Sequence, residues 1–281
     1  MRVLSGLFLL AVAIPTRVVA QNDCFPSKQS HEAQTFGILS VPLAFSAVEA
    51  PSNQSGHVVR IGVVVSSVPN VDATTSTPTT CRPGKGPENT NLLNAVPSPR
   101  IEVALPGHFA VEASWVPPVT VNQVKADLIS LALSKTVSIA NGLLALRARA
   151  HGTLGVVHAP ITCDDQALKD PTSECFNGTR SDDTFHPNIF GADLTLGWSP
   201  PSSRLRPYVG AGYNRLQPRF RVNFTNSFGD IDRTRVTVDL NRLVVFGGAT
   251  WRIVRALDLS GEVYAAPSDA VTARVGVRAG I

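Results

Sequence analysis

Charge is scarce in this sequence. Only 16% of the residues are charged, against about 25% in typical soluble domains, and just five of the 25 basic residues are lysine. The basic residues are scattered without any Lys/Arg-rich block, so no nucleic-acid partner is expected. Long apolar runs are missing too. Beyond the N-terminus nothing approaches the ~20 apolar residues of a membrane-spanning helix. Yet 43% of the chain is hydrophobic. A chain that is apolar overall and nowhere continuously so distributes its apolar residues by alternation.

What is present begins with "MRVLSGLFLLAVAIPTRVVAQ". A basic Arg2, an apolar stretch to Ile14, and Val18-Val19-Ala20 before Gln21 read as a secretory signal peptide over 1–20, cut after Ala20. Export places the four cysteines in an oxidising compartment. Cys163 and Cys175 bracket a polar stretch and are expected to staple one loop. Cys24 and Cys81 are then left to pair, among the three connectivities that four cysteines allow. No C-x-x-C occurs and no histidine stands at ligand spacing beside a cysteine, so no metal site is expected.

Residues 21–56 form an N-terminal segment and linker. "SKQSHEAQTFGIL" starts a short helix at Ser27 or Ser30, and "EAPSNQSG" reads as a linker. From 57 to 281 a period of two returns repeatedly, the mark of strands with one apolar face. It runs through "VVRIGVVV" (58–65), "RIEVAL" (100–105), "HFAVEASW" (108–115), 121–133 and "LLALRARAHGTLGV" (143–156). It continues through "FGADLTLGW" (190–198), "RPYVGAGYNRLQPRFRVNF" (206–224), "VTVDLN" (236–241), "LDLSGEV" (257–263) and "AVTARVGVRAGI" (270–281). About ten strands, within eight to twelve, are predicted. The connections at 67–99, 159–187 and 225–233 are long and polar, and those at 106–107, 200–203 and 254–256 are short.

Two architectures fit such strands: a soluble sandwich or barrel with the apolar face as core, and a transmembrane barrel with that face toward lipid. The polar face favours the second. On it Arg60, Arg100, Arg147, Arg149, Arg219, Arg221, Arg274 and Arg278 alternate with Glu102, Glu112, Asp127, Asp193, Asp239, Asp258 and Glu262. Arginine forks suit a confined ionic network, whereas a solvated face more often uses lysine. Trp115, Trp198 and Trp251 end strands, as an aromatic girdle does. The lumen-facing charges of a barrel are therefore predicted to include Arg147, Arg149, Asp193, Arg219, Arg221, Asp239, Asp258, Glu262, Arg274 and Arg278.

With "RPYVGAGYNR", "LTLGWSPPSSRLRPYVGAG", "GGATWRIVRALDLSGEVY" and the signal peptide, the chain resembles the bacterial outer-membrane β-barrel families. The likeness covers most of 57–281 by pattern. It implies an all-β, closed antiparallel barrel in outer-membrane lipid, short periplasmic turns, long surface loops, and assembly by the outer-membrane insertion machinery. The chain departs from the pattern in ending on Ile281, where such chains often end on an aromatic residue.

Nothing in the sequence compels catalysis. His31, His57, His108, His151, His158 and His186 are potential bases, but neither His151 nor Asp182-Asp183 with His186 sits in a local catalytic signature. "VGAGY" (209–213) lies inside a strand, where Gly210 and Gly212 keep a lumen open or let a neighbour approach. "GKGPENTN" (84–91) lacks the strand and helix of a phosphate loop, and no cofactor is expected. Asn53, Asn177 and Asn223 match the glycosylation pattern by chance in a bacterial-looking chain. "CDDQALKDPTSEC" offers carboxylates for calcium, although a solvated, stapled loop is the plainer reading. The expected role is structural or surface interaction at the cell envelope through loops 67–99 and 159–187, with the loop partner undefined. A narrow passive pore, a lipid- or peptide-hydrolysing barrel and a soluble secreted β-protein are the alternatives. A Cys24–Cys81 bond would bring the N-terminal segment to the side of the 67–99 loop, where it could thread the lumen as a plug.

Overall fold

The computed structural model describes residues 22–51, 58–198, 200 and 203–281. The signal-peptide stretch and most of "EAPSNQSG" lie outside these residues, as do His57 and Asn53.

Ten long strands make the wall. They are β1 (Val59–Ser67), β2 (Ala95–Leu105), β3 (Phe109–Val116), β4 (Val124–Ile139), β5 (Leu144–Ala159), β6 (Ile189–Trp198), β7 (Leu205–Leu216), β8 (Leu240–Val254), β9 (Leu257–Ala266) and β10 (Ala270–Gly280). Each pairs antiparallel with the next, and β10 returns to β1 in the register Arg274↔Ser66 to Gly280↔Arg60. The sheet is closed. Every wall strand therefore has two neighbours, which removes the exposed edges of an open sheet.

Turns at one end are short: 106–108, 140–143, 199–204 and 255–256. Gly107 (φ +77°) and His108 (φ +63°) make the first, and Asn141 (φ +55°) and Gly142 (φ +89°) the second. Glycine and asparagine tolerate this left-handed backbone best. The other end carries the long connections 68–94, 160–188 and 217–239.

The wall is polar inside and apolar outside over most of its height. On β10, Val271, Val275 and Val277 are exposed outward, whereas Arg274 (1% exposed) and Arg278 (5%) point inward and are buried. Leu131, Leu133, Leu194, Val209, Leu243 and Val263 add to the exterior band. Trp198 and Trp251 stand outward near the short-turn end and Trp115 near the loop end, where its Nε1 donates to Asp127 Oδ1 at 3.0 Å.

The interior divides into two compartments. Near the loop end it is apolar: Val124, Leu128, Ile189, Leu216, Leu240, Val244 and Phe246 point inward and are buried. Most of them join the core cluster around α1 (His31–Ser40). Phe36 of this helix packs against Phe185 and Phe220 with ring centroids 5.7 and 5.8 Å away. Ser30 caps the helix by accepting from Ala33 N–H at 3.1 Å. Below this cluster the interior is charged.

Four predicted placements are corrected by this division. Val236, Val238 and Leu240 are buried, while Asp239 faces solvent and pairs with Arg215 at 2.7 Å. Arg219 and Arg221 belong to a short strand (Arg219–Arg221) beyond the wall, where Phe220 takes the buried side. Asp127 lies on the outer face. In each case an apolar core at the loop end claims the apolar face for the inside. The strand predicted over 206–224 breaks at Gln217-Pro218, while "VTVDLN" only grazes a strand that runs on to Val254. The connection predicted to begin at 67 ends earlier than 99, because β2 starts at Ala95 and includes Pro97 and Pro99. Those prolines lie before β2 begins to pair with β3 at Arg100, so one flank makes no ladder demand on them.

Candidate functional site: a threaded lumen

Residues 41–51 run through the charged compartment. Their main-chain carbonyls descend a ladder of wall donors. Arg274 Nη2 donates to Val41 O (2.8 Å), Thr153 Oγ1 to Leu43 O (3.2 Å) and Arg149 Nη1 to Phe45 O (2.6 Å). Arg100 Nη1 donates to Ser46 O (2.5 Å), Arg278 Nη2 to Ala47 O, and Arg147 Nη2 to Glu49 O (2.9 Å). Thr153, Arg149 and Arg147 follow one another down β5, as Arg274 and Arg278 do down β10. The segment thus passes from the loop end to the short-turn end. At its foot Ala50 N–H donates to Thr250 Oγ1 (2.9 Å), and Pro51 lies against Gly197, where any Cβ would meet its ring at 2.7 Å.

Three side chains of the segment are held specifically. The Phe45 ring lies between the guanidiniums of Arg100 and Arg149, each 4.7 Å from its centroid. Ser46 Oγ donates to the Glu262 carboxylate, which also accepts from Tyr208 OH at 3.1 Å. Glu49 takes Arg60 Nη1 at 2.9 Å and lies 3.4 Å from Arg278 and 3.8 Å from Arg147. "EAPSNQSG" therefore opens not as linker but with the deepest ionic anchor of the segment. Between Ser46 and Glu49, Val48 holds φ +51°, a rare backbone for a β-branched residue.

The remaining charges pair within the wall. Arg278 joins Glu102 (2.8 Å) and Glu112 (2.7 Å), Arg149 joins Asp193 (3.2 Å), and Arg206 joins Asp258 (2.9 Å). Arg274 lies over the Tyr264 ring, 4.0 Å from its centroid. Of the predicted lumen charges, Arg147, Arg149, Asp193, Asp258, Glu262, Arg274 and Arg278 meet in this network. Arg219, Arg221 and Asp239 do not. Gly210 and Gly212 do not widen the lumen: a Cβ on Gly210 would lie 2.3 Å from the Phe246 ring, and one on Gly212 would lie 2.6 Å from Ala192 O. Below Glu49 a cavity of about 280 Å³ remains, lined in part by Arg60, Glu102, His108, Thr136 and Arg147.

At the loop end the segment is tied into a cap. Cys24 bonds Cys81, and Cys163 bonds Cys175. Asp23–Cys24 adds a parallel pairing to Arg235–Val236. Glu32 on α1 accepts from the N–H groups of Thr79, Thr80 and Cys81 at 3.1, 2.7 and 2.8 Å. Burial acts to raise its carboxyl, but the N–H groups of Cys81 and Thr80, with its own N–H and the Ser30 hydroxyl, outweigh it and hold Glu32 below its ordinary value. Arg82 gathers Glu88 (2.9 Å), Glu174 and Asp232 (3.4 Å) from three connections. Asp183 accepts from Thr162 N–H (2.7 Å), Asn223 N–H (2.9 Å) and Ser181 Oγ (2.8 Å).

The other candidates for chemistry are not assembled. Asp182 meets His158 at 3.2 Å near the surface, while His186 Nδ1 faces Gly155 O at 2.9 Å. His151 Nε2 lies 3.5 Å from Asp193. In "CDDQALKDPTSEC", Asp164 and Asp170 each turn Oδ1 to neighbouring N–H groups, and Asp164 Oδ2 accepts from Asn89 at 2.6 Å. Among the described residues no group of three or more His, Cys, Asp or Glu is placed to hold a metal ion.

No protein-family model and no curated protein matches the chain. Solved bacterial outer-membrane barrels do. The translocator domain of the autotransporter NalP from Neisseria meningitidis is matched at 11% identity and TM-score 0.36, over 82% of this chain and 90% of that one. Omp33 of Acinetobacter baumannii is matched at 8% identity and TM-score 0.32, over 80% and 98%. A loop-deletion mutant of OmpT, an outer membrane protein of Vibrio cholerae, is matched at 12% identity and TM-score 0.28 over 68% of this chain, which spans 55% of that protein. The fold assignment rests on strand closure and polarity rather than on these distant likenesses. A closed antiparallel wall, apolar outside and charged within, defines a β-barrel of the outer-membrane type. Within that class, this barrel has ten strands and a lumen filled by its own N-terminal segment.

Proposed function

We propose that the protein is an integral barrel of the outer membrane of a Gram-negative-type bacterium, exported by its signal peptide and sealed against solute flow. Its long connections face outward and do structural or surface-interaction work. The observation that carries this reading is the passage of residues 41–51 through the charged compartment, with Glu49 held among Arg60, Arg147 and Arg278. A passive pore would need a continuous water path, and the segment lies across it. The cap supports the surface role. Two disulfides and the Arg82 cluster fix the connections as one shaped body, and a fixed body binds a partner at lower ordering cost than loose loops. The reading assigns no catalytic step, cofactor or nucleic-acid ligand to the chain. Outer-membrane lipid and the insertion machinery are its assembly partners.

Reconstitution into planar lipid bilayers tests it. The intact chain, shown to be folded by a gel shift between unboiled and boiled samples, is expected to give no steady conductance. A stable open current from the intact chain would replace this reading with that of a narrow pore.

A further inference from the structure

We infer that the barrel carries its own N-terminal chain across the membrane and displays it on the outer face, the lumen serving as a passage built to hold a polypeptide main chain. The inference rests on the orientation proposed above and goes beyond it. Ten wall strands alone would return the chain to the end where it began. The lumen segment adds an eleventh crossing. The two described ends therefore lie on opposite faces. Ile281 N–H donates to Val59 O at the short-turn end (2.9 Å), while Asn22 O accepts from Arg235 N–H in the cap (2.9 Å).

The lining is suited to a main chain. Six carbonyls between Val41 and Glu49 each receive a wall donor, five of them an arginine. A carbonyl is common to every residue, so these six contacts place no demand on the side chains that carry them. Phe45, Ser46 and Glu49 set the register. Beyond the passage the chain widens into α1 and the disulfide-linked cap, which hold Asn22 at the loop face.

The scarcity of lysine makes this testable on the unmodified protein. Lys28 is exposed in the N-terminal segment, Lys169 is exposed in the 160–188 connection, and Lys135 lies toward the short-turn end. Intact cells are treated with a membrane-impermeant amine reagent, and the modified lysines are read by mass spectrometry before and after permeabilisation. Lys28 is expected to be modified on intact cells to within twofold of Lys169. If Lys169 reacts on intact cells and Lys28 only after permeabilisation, the display inference falls and the outward loops stand. If both react only after permeabilisation, the loops face inward, and both the inference and the proposed orientation are overturned.

Discussion

Ser46 Oγ donates to both carboxylate oxygens of Glu262, at 2.7 and 2.9 Å, across 216 residues of sequence. One hydroxyl thereby ties the threaded segment to β9, while Tyr208 OH from β7 and Arg274 from β10 hold the same carboxylate. Hydrogen bonds to a charged group contribute about 1.5–3 kcal/mol. Ser46→Ala is expected to destabilise the folded barrel by that amount, read as a lower urea midpoint for unfolding from lipid vesicles. An unchanged midpoint would mean that the segment is not docked as described.

Glu49→Gln is expected to cost more. Its carboxylate is the shared partner of Arg60, Arg147 and Arg278, and removing one member of a buried ion pair costs about 3–5 kcal/mol. The variant should show brief openings in planar bilayers where the parent is silent. Loss of stability with silent bilayers would separate the anchoring of the segment from the sealing of the lumen.

Gly210 and Gly261 offer a paired test of packing. A Cβ at Gly210 meets the Phe246 ring at 2.3 Å and Leu194 O at 2.8 Å, whereas nothing lies within 4 Å of one at Gly261. Overpacking costs about 1–3 kcal/mol. Gly210→Ala should lower the temperature of the gel-shift transition, and Gly261→Ala should leave it in place.

The cap is expected to lose stability as pH rises toward neutrality. Burial pushes the Glu88 carboxyl up to about 7 against the attraction of Arg82, with Asp183 and Glu32 adding repulsion. Between its ordinary value of 4.5 and about 7, the folded cap keeps a proton that the unfolded chain has released. The stabilisation is complete below about 4.5 and is lost as pH rises through that window. Glu32, held below its ordinary value, contributes nothing to the slope there. Protease resistance of the cap, compared at pH 5 and pH 8, should fall in the parent and fall less in Glu88→Gln, where Asp183, itself pushed up by burial, still contributes. Equal slopes in the two proteins would remove Glu88 as the cause.

The Cys163–Cys175 bond closes a separation of 12 residues, and loops of that size gain about 3 kcal/mol from the constraint on the unfolded chain. Replacing both cysteines by serine should make the 160–188 connection protease-sensitive while the gel shift of the barrel persists. Loss of the gel shift would show that cap and wall fold as one unit.

The wall was legible where one strand reports its own environment. Along 270–281 a strict alternation places Val271, Val275 and Val277 outside and Arg274 and Arg278 inside without reference to any neighbour. Alternation alone does not say which compartment a strand end enters. At Val124, Val236 and Leu240 the inside is apolar because α1 fills it, so the charges at Asp127 and Asp239 turn outward. The ladder under Val41 to Glu49 left no local pattern at all. Its donors come from three separate strands, β2, β5 and β10, and only their closure brings them to one line. Glu49 stands in a stretch whose proline, serine and glycine look like a linker. One sequence reading did point to the threading: the Cys24–Cys81 pairing, which puts the start of the segment beside the 68–94 connection and so offers it to the lumen as a plug.

That pairing also fixes an order of events. Cys24 and Cys81 are 57 residues apart, and the chain between them climbs down the lumen and back up as β1. Once the bond has formed, the two limbs are parts of one covalent ring, one limb in the bore and one in the wall. The inner limb cannot slide out of either mouth while the outer limb stays paired with β2 and β10. A barrel closed first could admit the segment only with the bond open. With the bond made early, the last seam to zip, between β10 and β1, has to close around a limb already in place, and from then on only a reductant or a cut releases it.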